Sequence, residues 1–264
     1  MLYTETKTNV ISFHKEMLGV RIFPKREEMG KAAALDVSAK ILELLERKEE
    51  INMIFAAAPS QNDFMSALVN DVTIPWNRIN AFHMDEYIGL DKEAPQGFGN
   101  FLKSALFGNV PFRSVYYIDG TATDTESECH RYSTLLRSFP VDIVCLGIGE
   151  NGHIAFNDPP VADFNDPKMV KVVNLEQTCR QQQVNDNCFT KIELVPVKAF
   201  TLTIPALIKG QYMFCTVPTQ LKAEAVRKTL NDPVTEECPA TILRTKKDAL
   251  LYLDADSSSL LQIN

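Results

Sequence analysis

Residues 146–160, LGIGENGHIAFNDPP, combine a glycine-rich turn with side chains that can exchange protons. Gly147, Gly149 and Gly152 match the G-x-G-x-x-G pattern of a dinucleotide-binding loop. Such a loop opens directly into a long helix, whose N-terminus binds the pyrophosphate. The Pro-Pro pair that ends the stretch cannot lie inside that helix, because proline lacks the N–H that a helix interior needs. The glycines therefore predict a turn with another purpose.

His153 is the side chain in this turn that is best suited to acid–base chemistry. Imidazole gains and loses a proton near neutral pH, and a neighbouring polar group fixes which ring nitrogen carries that proton. Asn151 and Asp158 lie close to it in the sequence. We predict that His153 exchanges protons with a substrate, that Asn151 and Asp158 support it, and that Gly149 and Gly152 border the substrate. The remaining histidines lack such a setting: His14, His83 and His130.

Two adjacent carboxylates, Asp85 and Glu86, follow the apolar run NRINAFHM. A partly buried carboxylate can act as a general base, because burial raises its pKa. Consecutive strand residues face opposite sides of a sheet, so one of the pair can face a cleft while the other makes a structural hydrogen bond. Asp85 is the candidate base and Glu86 a candidate substrate contact, although a helix cap or a surface turn would use the same residues.

A third polar segment, Ser60 to Asn62, lies between the apolar run INMIFAAA and the helical pattern FMSALVN. Backbone N–H groups point outward at the start of a helix, and a hydroxyl and amides beside them can bind a phosphate. An ordinary helix N-cap would place the same residue types there. Ser60, Gln61 and Asn62 are therefore predicted to bind phosphate, with the cap as the alternative.

Apolar runs of strand length carry these polar segments. The runs are near-continuous rather than alternating, which is typical of buried parallel strands: 51–58, 77–85, 114–118, 141–148, 199–204, 212–217 and 249–254. Helical patterns separate several of them, notably at 28–50 and 219–230. This alternation predicts an α/β fold, a doubly wound and mainly parallel sheet with helices on both faces. No linker or repeat divides the chain, so we expect a single domain over residues 1–264.

The composition excludes several classes of protein. The 264 residues are 45% hydrophobic, enough for a sizeable core. A net charge of −7 argues against a nucleic-acid-binding surface. No stretch approaches the ~20 apolar residues of a membrane span, and the first residues do not resemble a signal peptide, which suggests a cytoplasmic protein. The six cysteines are scattered without a C-x-x-C pair, which favours free thiols over a zinc site or a disulfide framework.

The motif MDEYIGL (84–90), the stretch 146–160 and the order of the elements resemble the glucosamine-6-phosphate deaminase/isomerase family. The resemblance runs from about residue 20 to the end. It implies a Rossmann-like fold of the deaminase/6-phosphogluconolactonase type. It also implies that a 2-amino-2-deoxyhexose 6-phosphate becomes a ketohexose 6-phosphate with loss of ammonia, and that neither a metal nor a cofactor is needed.

The resemblance assigns roles to the acid–base residues. Asp85 matches the base that moves a proton between C2 and C1, and His153 matches the group that assists ring opening at the ring oxygen. Asp158 stands where the family usually has glutamate. Because it is one methylene shorter, the loop must approach more closely or use a water. Asn151 stands where many members have aspartate, and it can orient His153 without carrying charge.

The resemblance is less complete at the phosphate. Ser60, Gln61 and Asn62 replace the family's Gly-Gly-Thr-Pro turn, and Asp63 adds a negative charge nearby. Lys222 matches the phosphate-binding lysine, with a solvated helix lysine as the alternative. The family's downstream phosphate arginine has only Arg180 as a counterpart, and simple alignment places Arg180 one turn too early.

Other functions stay open at this level. A galactosamine-6-phosphate deaminase differs at one hydroxyl of the substrate, and the 6-phosphogluconolactonases share the fold and a Gly-x-Gly-x-Asp-Gly-His turn. A sugar-phosphate sensor would need neither Asp85 nor His153, and it normally carries a DNA-binding module. The expected partner is a small sugar phosphate, with no nucleic acid and no membrane, and a homo-oligomer is left open.

Overall fold

The computed structural model describes residues 10–262. In this range the strands are β1 (Ile11–Lys15), β2 (Leu18–Phe23), β3 (Ile51–Phe55), β4 (Ile79–His83), β5 (Asp85–Tyr87), β6 (Ser114–Tyr116), β7 (Ile143–Leu146), β8 (Val170–Asn174), β9 (Lys198–Leu202), β10 (Tyr212–Val217) and β11 (Ala249–Asp254). The α-helices are α1 (Arg26–Leu45), α2 (Asn62–Val69), α3 (Phe98–Leu102), α4 (Thr125–Ser138), α5 (Gln177–Asn185), α6 (Ile204–Ile208) and α7 (Ala223–Asn231).

An eight-stranded sheet in the order β1-β2-β11-β10-β7-β3-β4-β6 forms the centre of the molecule. Every neighbouring pair is parallel except β1 and β2, which form an antiparallel hairpin at one edge. The prediction of a mainly parallel sheet is therefore confirmed. The hairpin begins at Ile11, upstream of the residue at which the sequence resemblance begins.

Hydrophobic cores lie on both faces of this sheet, as the doubly wound prediction requires. Alternate residues of β7 show the division: Cys145 packs in the core that contains α1 and α2, and Val144 packs in the core that contains α4 and α7. Because both faces are covered, the strands are buried along their whole length. This explains why their sequences are near-continuous apolar runs.

The run 199–204 does not join the parallel sheet, which corrects the sequence interpretation. Its strand, β9, lies in a separate sheet in the order β5-β9-β8 and pairs antiparallel with both neighbours. Ala199 packs in one core, while Phe200 and Leu202 pack in the other, so both faces of β9 are buried here too. An apolar run reports burial on two faces and does not report strand direction.

Parallel strands bring their carboxyl ends to one edge of the sheet, and four connections gather there. The segment Pro59–Gln61 forms a 3₁₀ turn after β3, and Asp85 follows β4 directly. Residues 147–158 follow β7 without forming a helix, and a 3₁₀ turn at Gln220–Lys222 follows β10. Within residues 10–262, no helix is both long enough and apolar enough to cross a bilayer.

Candidate active site

The connections after β3, β4, β7 and β10 enclose one pocket, which α5 covers from the side. Predicted site residues and others line it together: Ser60, Gln61, Asp85, Gly149, His153, Gln182, Gln183 and Lys222. Apolar side chains, including Phe98 and Phe156, complete the wall. The structure thus brings together chemistry-bearing residues from distant parts of the chain.

Asp85 is the first residue of β5 and faces this pocket. The residue is 6% exposed, and no described residue donates a hydrogen bond to its carboxylate. Burial, with the negative charge of Glu86 as a second cause, raises the pKa of Asp85 well above its ordinary value. A buried carboxylate in this setting is a stronger base than an exposed one, because the surroundings favour its protonated form.

Glu86 points to the other face of β5, as alternation predicts for one of the two carboxylates. It accepts hydrogen bonds from the backbone N–H groups of Tyr87 (2.9 Å), Phe98 (2.9 Å) and Gly99 (2.8 Å). Burial raises the pKa of Glu86, and these three donors act in the opposite direction. Because its oxygens bind the start of α3, Glu86 holds backbone in place and does not line the pocket of Asp85.

His153 is held in one orientation by a chain of polar side chains. Its Nδ1 lies 2.7 Å from Oδ1 of Asn151 and 3.0 Å from Oδ1 of Asp158. Asn151 Nδ2 in turn donates to Asp158 (2.9 Å) and to Glu176 (2.8 Å). Both oxygens near Nδ1 are acceptors, so the network assigns a proton to Nδ1. Nε2, which has no partner among the described residues, is then left for a ligand.

Asp158 supports His153 by direct contact, so the loop compensates for the shorter side chain by approaching closely. The carboxylate is 1% exposed. Burial alone would raise the pKa of Asp158, but hydrogen bonds from His153 and Asn151 outweigh burial and hold it below its ordinary value. Asp158 is therefore ionised near neutral pH, and its charge stabilises a positive imidazolium on His153.

The two predicted glycines shape this loop in different ways. The imidazole of His153 lies directly against Gly149, and a Cβ at residue 149 would overlap the ring. Gly152 has φ +85°, a left-handed conformation, and a Cβ there would meet Cys238. Gly149 borders the pocket, whereas Gly152 lies outside its lining and permits the turn and the close approach of Cys238.

The segment after β3 contributes two of its three predicted residues. Ser60 and Gln61 line the pocket, whereas Asn62 is exposed on α2 and does not. The Gln61 amide is tied to Thr216 on β10: Nε2 donates to its carbonyl (3.1 Å), and Oε1 accepts from its hydroxyl (2.7 Å). Asp63 pairs with Arg26, whose Nε lies 2.7 Å from the carboxylate, so its charge is countered.

Lys222 is a buried cation that faces the pocket. It is 4% exposed, and its Nζ has no hydrogen-bond partner in the described part of the chain. Burial lowers the pKa of Lys222, although the carboxylates of Asp186 and Glu150 act against this. The alternative of a solvated helix lysine is wrong. An unpaired buried ammonium is unfavourable on its own, so this position is suited to an anionic ligand.

Arg180 does not reach the pocket. Its guanidinium donates to the carbonyls of Ile192 (2.7 Å) and Val195 (2.9 Å), which fastens α5 to the segment that follows it. The pocket-facing residues of α5 are instead Gln182 and Gln183, which the sequence analysis missed. Their position one turn from buried Cys179 could have indicated the inner face of the helix.

His83 is a third residue whose role the sequence did not indicate. It is fully buried, and burial lowers its pKa to about 4, so the ring is neutral. Nε2 accepts from the backbone N–H of Ile118 (2.9 Å), and Nδ1 lies 2.9 Å from the carbonyl of Asp85. Since Nε2 accepts, Nδ1 carries the proton and donates a hydrogen bond to the backbone carbonyl of Asp85. His83 thus positions the backbone that carries the candidate base.

One group of side chains has the composition of a metal site. Ligand atoms of His153, Asp158 and Cys179 all lie within 4.8 Å of one another. His153 and Asp158 contact each other directly at 3.0 Å, which is a hydrogen-bond distance and explains their proximity without a metal. The expectation that neither a metal nor a cofactor is needed stays a prediction.

Comparison with known proteins places the chain in a family. Residues 24–252 match the family described as glucosamine-6-phosphate isomerases/6-phosphogluconolactonase. The glucosamine-6-phosphate deaminase of Bacillus cereus strain B4264 is 38% identical over 184 residues, which cover 70% of this chain and 68% of that protein. The enzyme of the same name from Bacillus cereus strain G9842 is 34% identical over 225 residues, with coverages of 85% and 84%.

Solved structures agree with this assignment. A monomeric glucosamine-6-phosphate deaminase superimposes with a TM-score of 0.83 at 29% identity, covering 92% of this chain and 99% of the other. A 6-phosphogluconolactonase from Thermotoga maritima gives a TM-score of 0.73 at 22% identity, with coverages of 90% and 99%, and at that identity shares the fold alone. The chain belongs to the family of glucosamine-6-phosphate isomerases and 6-phosphogluconolactonases.

Proposed function

We propose that this protein is a glucosamine-6-phosphate deaminase, which converts glucosamine 6-phosphate into fructose 6-phosphate and ammonia. The observation that carries the proposal is a single pocket with an unpartnered buried carboxylate, Asp85, and an oriented imidazole, His153. Lys222 adds a buried cation for the phosphate. The deaminases named above are more similar in sequence to this chain than the compared lactonase structure is, which supports the same choice.

His153 is suited to opening the sugar ring. The neutral ring presents Nε2, which takes the proton of the anomeric hydroxyl and returns a proton to the ring oxygen as the bond from C1 to that oxygen breaks. The intermediate imidazolium is stabilised by ionised Asp158, which lies 3.0 Å from Nδ1. Asn151 keeps the ring in place, since its Oδ1 accepts from Nδ1 at 2.7 Å.

Asp85 then moves a proton along the open chain. The carboxylate takes the proton from C2, the electrons of that bond form the C1–C2 double bond of an enolamine, and the carbonyl oxygen at C1 takes up a proton from water to become a hydroxyl. The protonated carboxyl returns its proton to C1 while the nitrogen lone pair forms an imine at C2, and the nitrogen releases one proton to water. Water adds to this imine, and the bond from C2 to nitrogen breaks to release ammonia and the ketose. The raised pKa of Asp85 makes both directions of this transfer accessible.

The phosphate end is assigned to Ser60 and Lys222, with Gln61 as a support that holds the turn on Thr216. Arg180, Asn62 and Glu86 have no part in this assignment, because their side chains are engaged elsewhere or lie outside the pocket. Within this proposal the enzyme acts in the cytoplasm, where sugar phosphates are made and retained.

Ammonia release by the purified protein tests the proposal. Glucosamine 6-phosphate and galactosamine 6-phosphate are assayed in parallel, and hydrolysis of 6-phosphogluconolactone is measured as a third reaction. We expect ammonia and equimolar fructose 6-phosphate from the glucosamine substrate. Ammonia from galactosamine 6-phosphate alone would assign the galactosamine epimer as the substrate. Lactone hydrolysis alone would assign the protein as a 6-phosphogluconolactonase. Inactivity in all three assays would favour a sugar-phosphate sensor.

A further inference from the structure

The amide of Asn151 has one orientation in the site, because each of its ends meets groups of one polarity. Its Oδ1 accepts from the backbone N–H of His153 (3.1 Å) and lies 2.7 Å from Nδ1 of the same residue. Its Nδ2 lies 2.8 Å from Oε2 of Glu176 and 2.9 Å from Oδ1 of Asp158. A backbone N–H can only donate and an ionised carboxylate can only accept, so the amide oxygen must face His153.

Glu176 is the partner that Asn151 does not share with His153. Oδ1 of Asp158 lies near two donors, Nδ2 of Asn151 and, at 3.0 Å, Nδ1 of His153. The carboxylate of Glu176, by contrast, accepts from Asn151 alone among the described residues. Each N–H bond of the amide therefore has its own carboxylate, and the second of them depends on Glu176.

Helix capping does not account for the direction of the Glu176 side chain. Glu176 is the N-cap residue of α5, a position at which a side chain commonly accepts from an N–H of the first turn. Its side chain forms no such bond and reaches Asn151 instead. Glu176 also lies outside the lining of the pocket. Its contact with the acid–base residues therefore runs through Asn151.

We propose that Glu176 is a positioning residue for the proton transfer by His153. By accepting from Nδ2 it holds the amide of Asn151 with the oxygen on Nδ1, so that Nδ1 keeps its proton and Nε2 can accept one. Without Glu176 the amide can turn over and present Nδ2 to Nδ1, which favours the opposite tautomer. This inference rests on the proposed function for the reaction of His153, but its geometry does not.

Glu176→Ala separates positioning from a purely structural role. We expect kcat for ammonia release from glucosamine 6-phosphate to fall about tenfold, the effect of losing a hydrogen bond to a charged group. KM should stay within about twofold, because Glu176 does not line the pocket. Glu176→Gln keeps an acceptor oxygen for Nδ2 and should lose about threefold in kcat, which provides a second, milder variant. A higher KM with unchanged kcat would mean that Glu176 only holds α5 in place, and would overturn the proposal.

Asn151→Asp tests the contact between the two side chains. It places a carboxylate oxygen where Nδ2 now lies, 2.8 Å from Oε2 of Glu176, so we expect kcat to fall about a hundredfold through repulsion. Adding Glu176→Gln supplies a donor for the new carboxylate. The double variant should therefore be at least about fivefold more active than Asn151→Asp alone, although Glu176→Gln by itself lowers activity. Such opposite effects indicate direct interaction, and losses that multiply would overturn the proposal.

Glu193 provides the matched control. It is an exposed glutamate in the segment that follows α5, and it forms no hydrogen bond or ion pair with the residues described. Glu193→Ala and Glu193→Gln should leave kcat and KM within about twofold of the wild-type values, since exposed charges are screened by solvent. Thermal unfolding of every variant confirms that the fold is intact.

The tautomer of His153 separates this inference from the proposed reaction. Protein labelled with nitrogen-15 in histidine is studied by NMR at a pH at which the ring is neutral, and the signals lost in His153→Gln identify the residue. The wild type should carry the proton on Nδ1, and Glu176→Ala should increase the share protonated on Nε2. The ring of His83, which bonds to Asp85 and Ile118, should not change.

A change of tautomer in Glu176→Ala supports the positioning role even if the wild type releases no ammonia, a result that would overturn only the proposed function. An unchanged tautomer overturns the positioning role even if the wild type is a deaminase. A wild type that releases no ammonia, with a tautomer that does not respond to Glu176→Ala, overturns both proposals.

Discussion

The polar groups at the pocket form two sets that differ in their hydrogen bonding. Around His153, the partnered set of Asn151, Asp158 and Glu176 forms a continuous chain of hydrogen bonds. By contrast, Asp85 and Lys222, the unpartnered set, line the same pocket and are buried without hydrogen-bond partners for their charged groups among the described residues. Partnered groups hold an orientation, whereas buried charges without partners are unfavourable until a ligand arrives. The partnered set is therefore suited to positioning a catalyst, and the unpartnered set to binding a substrate.

The adjacent carboxylates Asp85 and Glu86 test this comparison most directly, because only Glu86 accepts hydrogen bonds with its carboxylate. Asp85→Asn is expected to lower kcat at least about a thousandfold, because the amide cannot accept a proton from carbon. Its melting temperature should not fall, because the substitution removes a buried charge.

Glu86→Gln should keep kcat within about tenfold but lower the melting temperature, because Glu86 accepts from three backbone N–H groups. For both variants, kcat is measured by ammonia release and the melting temperature by thermal unfolding. A value of kcat for Asp85→Asn within about threefold of the wild type would contradict the assignment.

In the partnered set, Asp158→Asn removes the negative charge of the side chain and keeps its size and shape. We expect kcat to fall about a hundredfold, since the imidazolium of His153 loses the carboxylate that stabilises it. The control is Asp163→Asn, an exposed aspartate in the same segment. Steady-state kinetics are compared at one pH. If both variants retained wild-type kcat, the hydrogen-bond chain would be structural only.

In the unpartnered set, Lys222→Met should weaken substrate binding more than it slows the chemical steps. We expect KM to rise by about tenfold or more with a smaller change in kcat, because the cation contacts the phosphate and not the reacting carbons. The melting temperature should rise, since an unpaired buried ammonium is removed. Lys228→Met, on helix α7 directly after the turn that carries Lys222, is the control. An unchanged KM together with a lower melting temperature would make Lys222 a structural residue.

The dependence of kcat/KM on pH reports the same asymmetry with a smaller effect. Asp85 must be ionised to accept a proton, and its pKa is raised. Activity is therefore complete above this raised pKa and is lost as the pH falls through it, at a higher pH than an ordinary aspartate with a pKa of about 3.9 would give. A pH profile recorded where the protein stays folded checks this. Full activity down to about pH 4 would contradict a buried base.

The parallel sheet and the meeting of His153 and Asp85 at one edge of it could be predicted because both follow from local rules. A strand buried on two faces requires a continuous apolar run, and polar residues directly after such runs meet at one edge of the sheet. These rules bring His153 and Asp85 together from the order of residues alone, and the acid–base roles of the two residues stay predictions. The single-domain prediction over residues 1–264 is tested by none of these observations and stays a prediction.

The sequence-based predictions are wrong or incomplete where tertiary contacts determine strand direction or side-chain position. The apolar run of β9 is buried on both faces in an antiparallel sheet, so burial did not reveal strand direction. Arg180 has the charge for a phosphate, but two nearby carbonyls bind it, and Gln183 reaches the pocket instead. His83 acts through a backbone carbonyl of Asp85, a contact that residue type and spacing do not encode. Which way a side chain points within a turn is set by partners that are distant in sequence.

In the proposed reaction one buried carboxylate, Asp85, carries the same proton from C2 to C1. Glucosamine 6-phosphate labelled with deuterium at C2 tests it most directly, with the fructose 6-phosphate analysed by NMR. We predict a primary isotope effect on kcat/KM and a measurable fraction of the deuterium at C1, because a carboxyl that is 6% exposed exchanges with water slowly enough to return its own proton. Deuterium found entirely in water, without an isotope effect, would contradict the account.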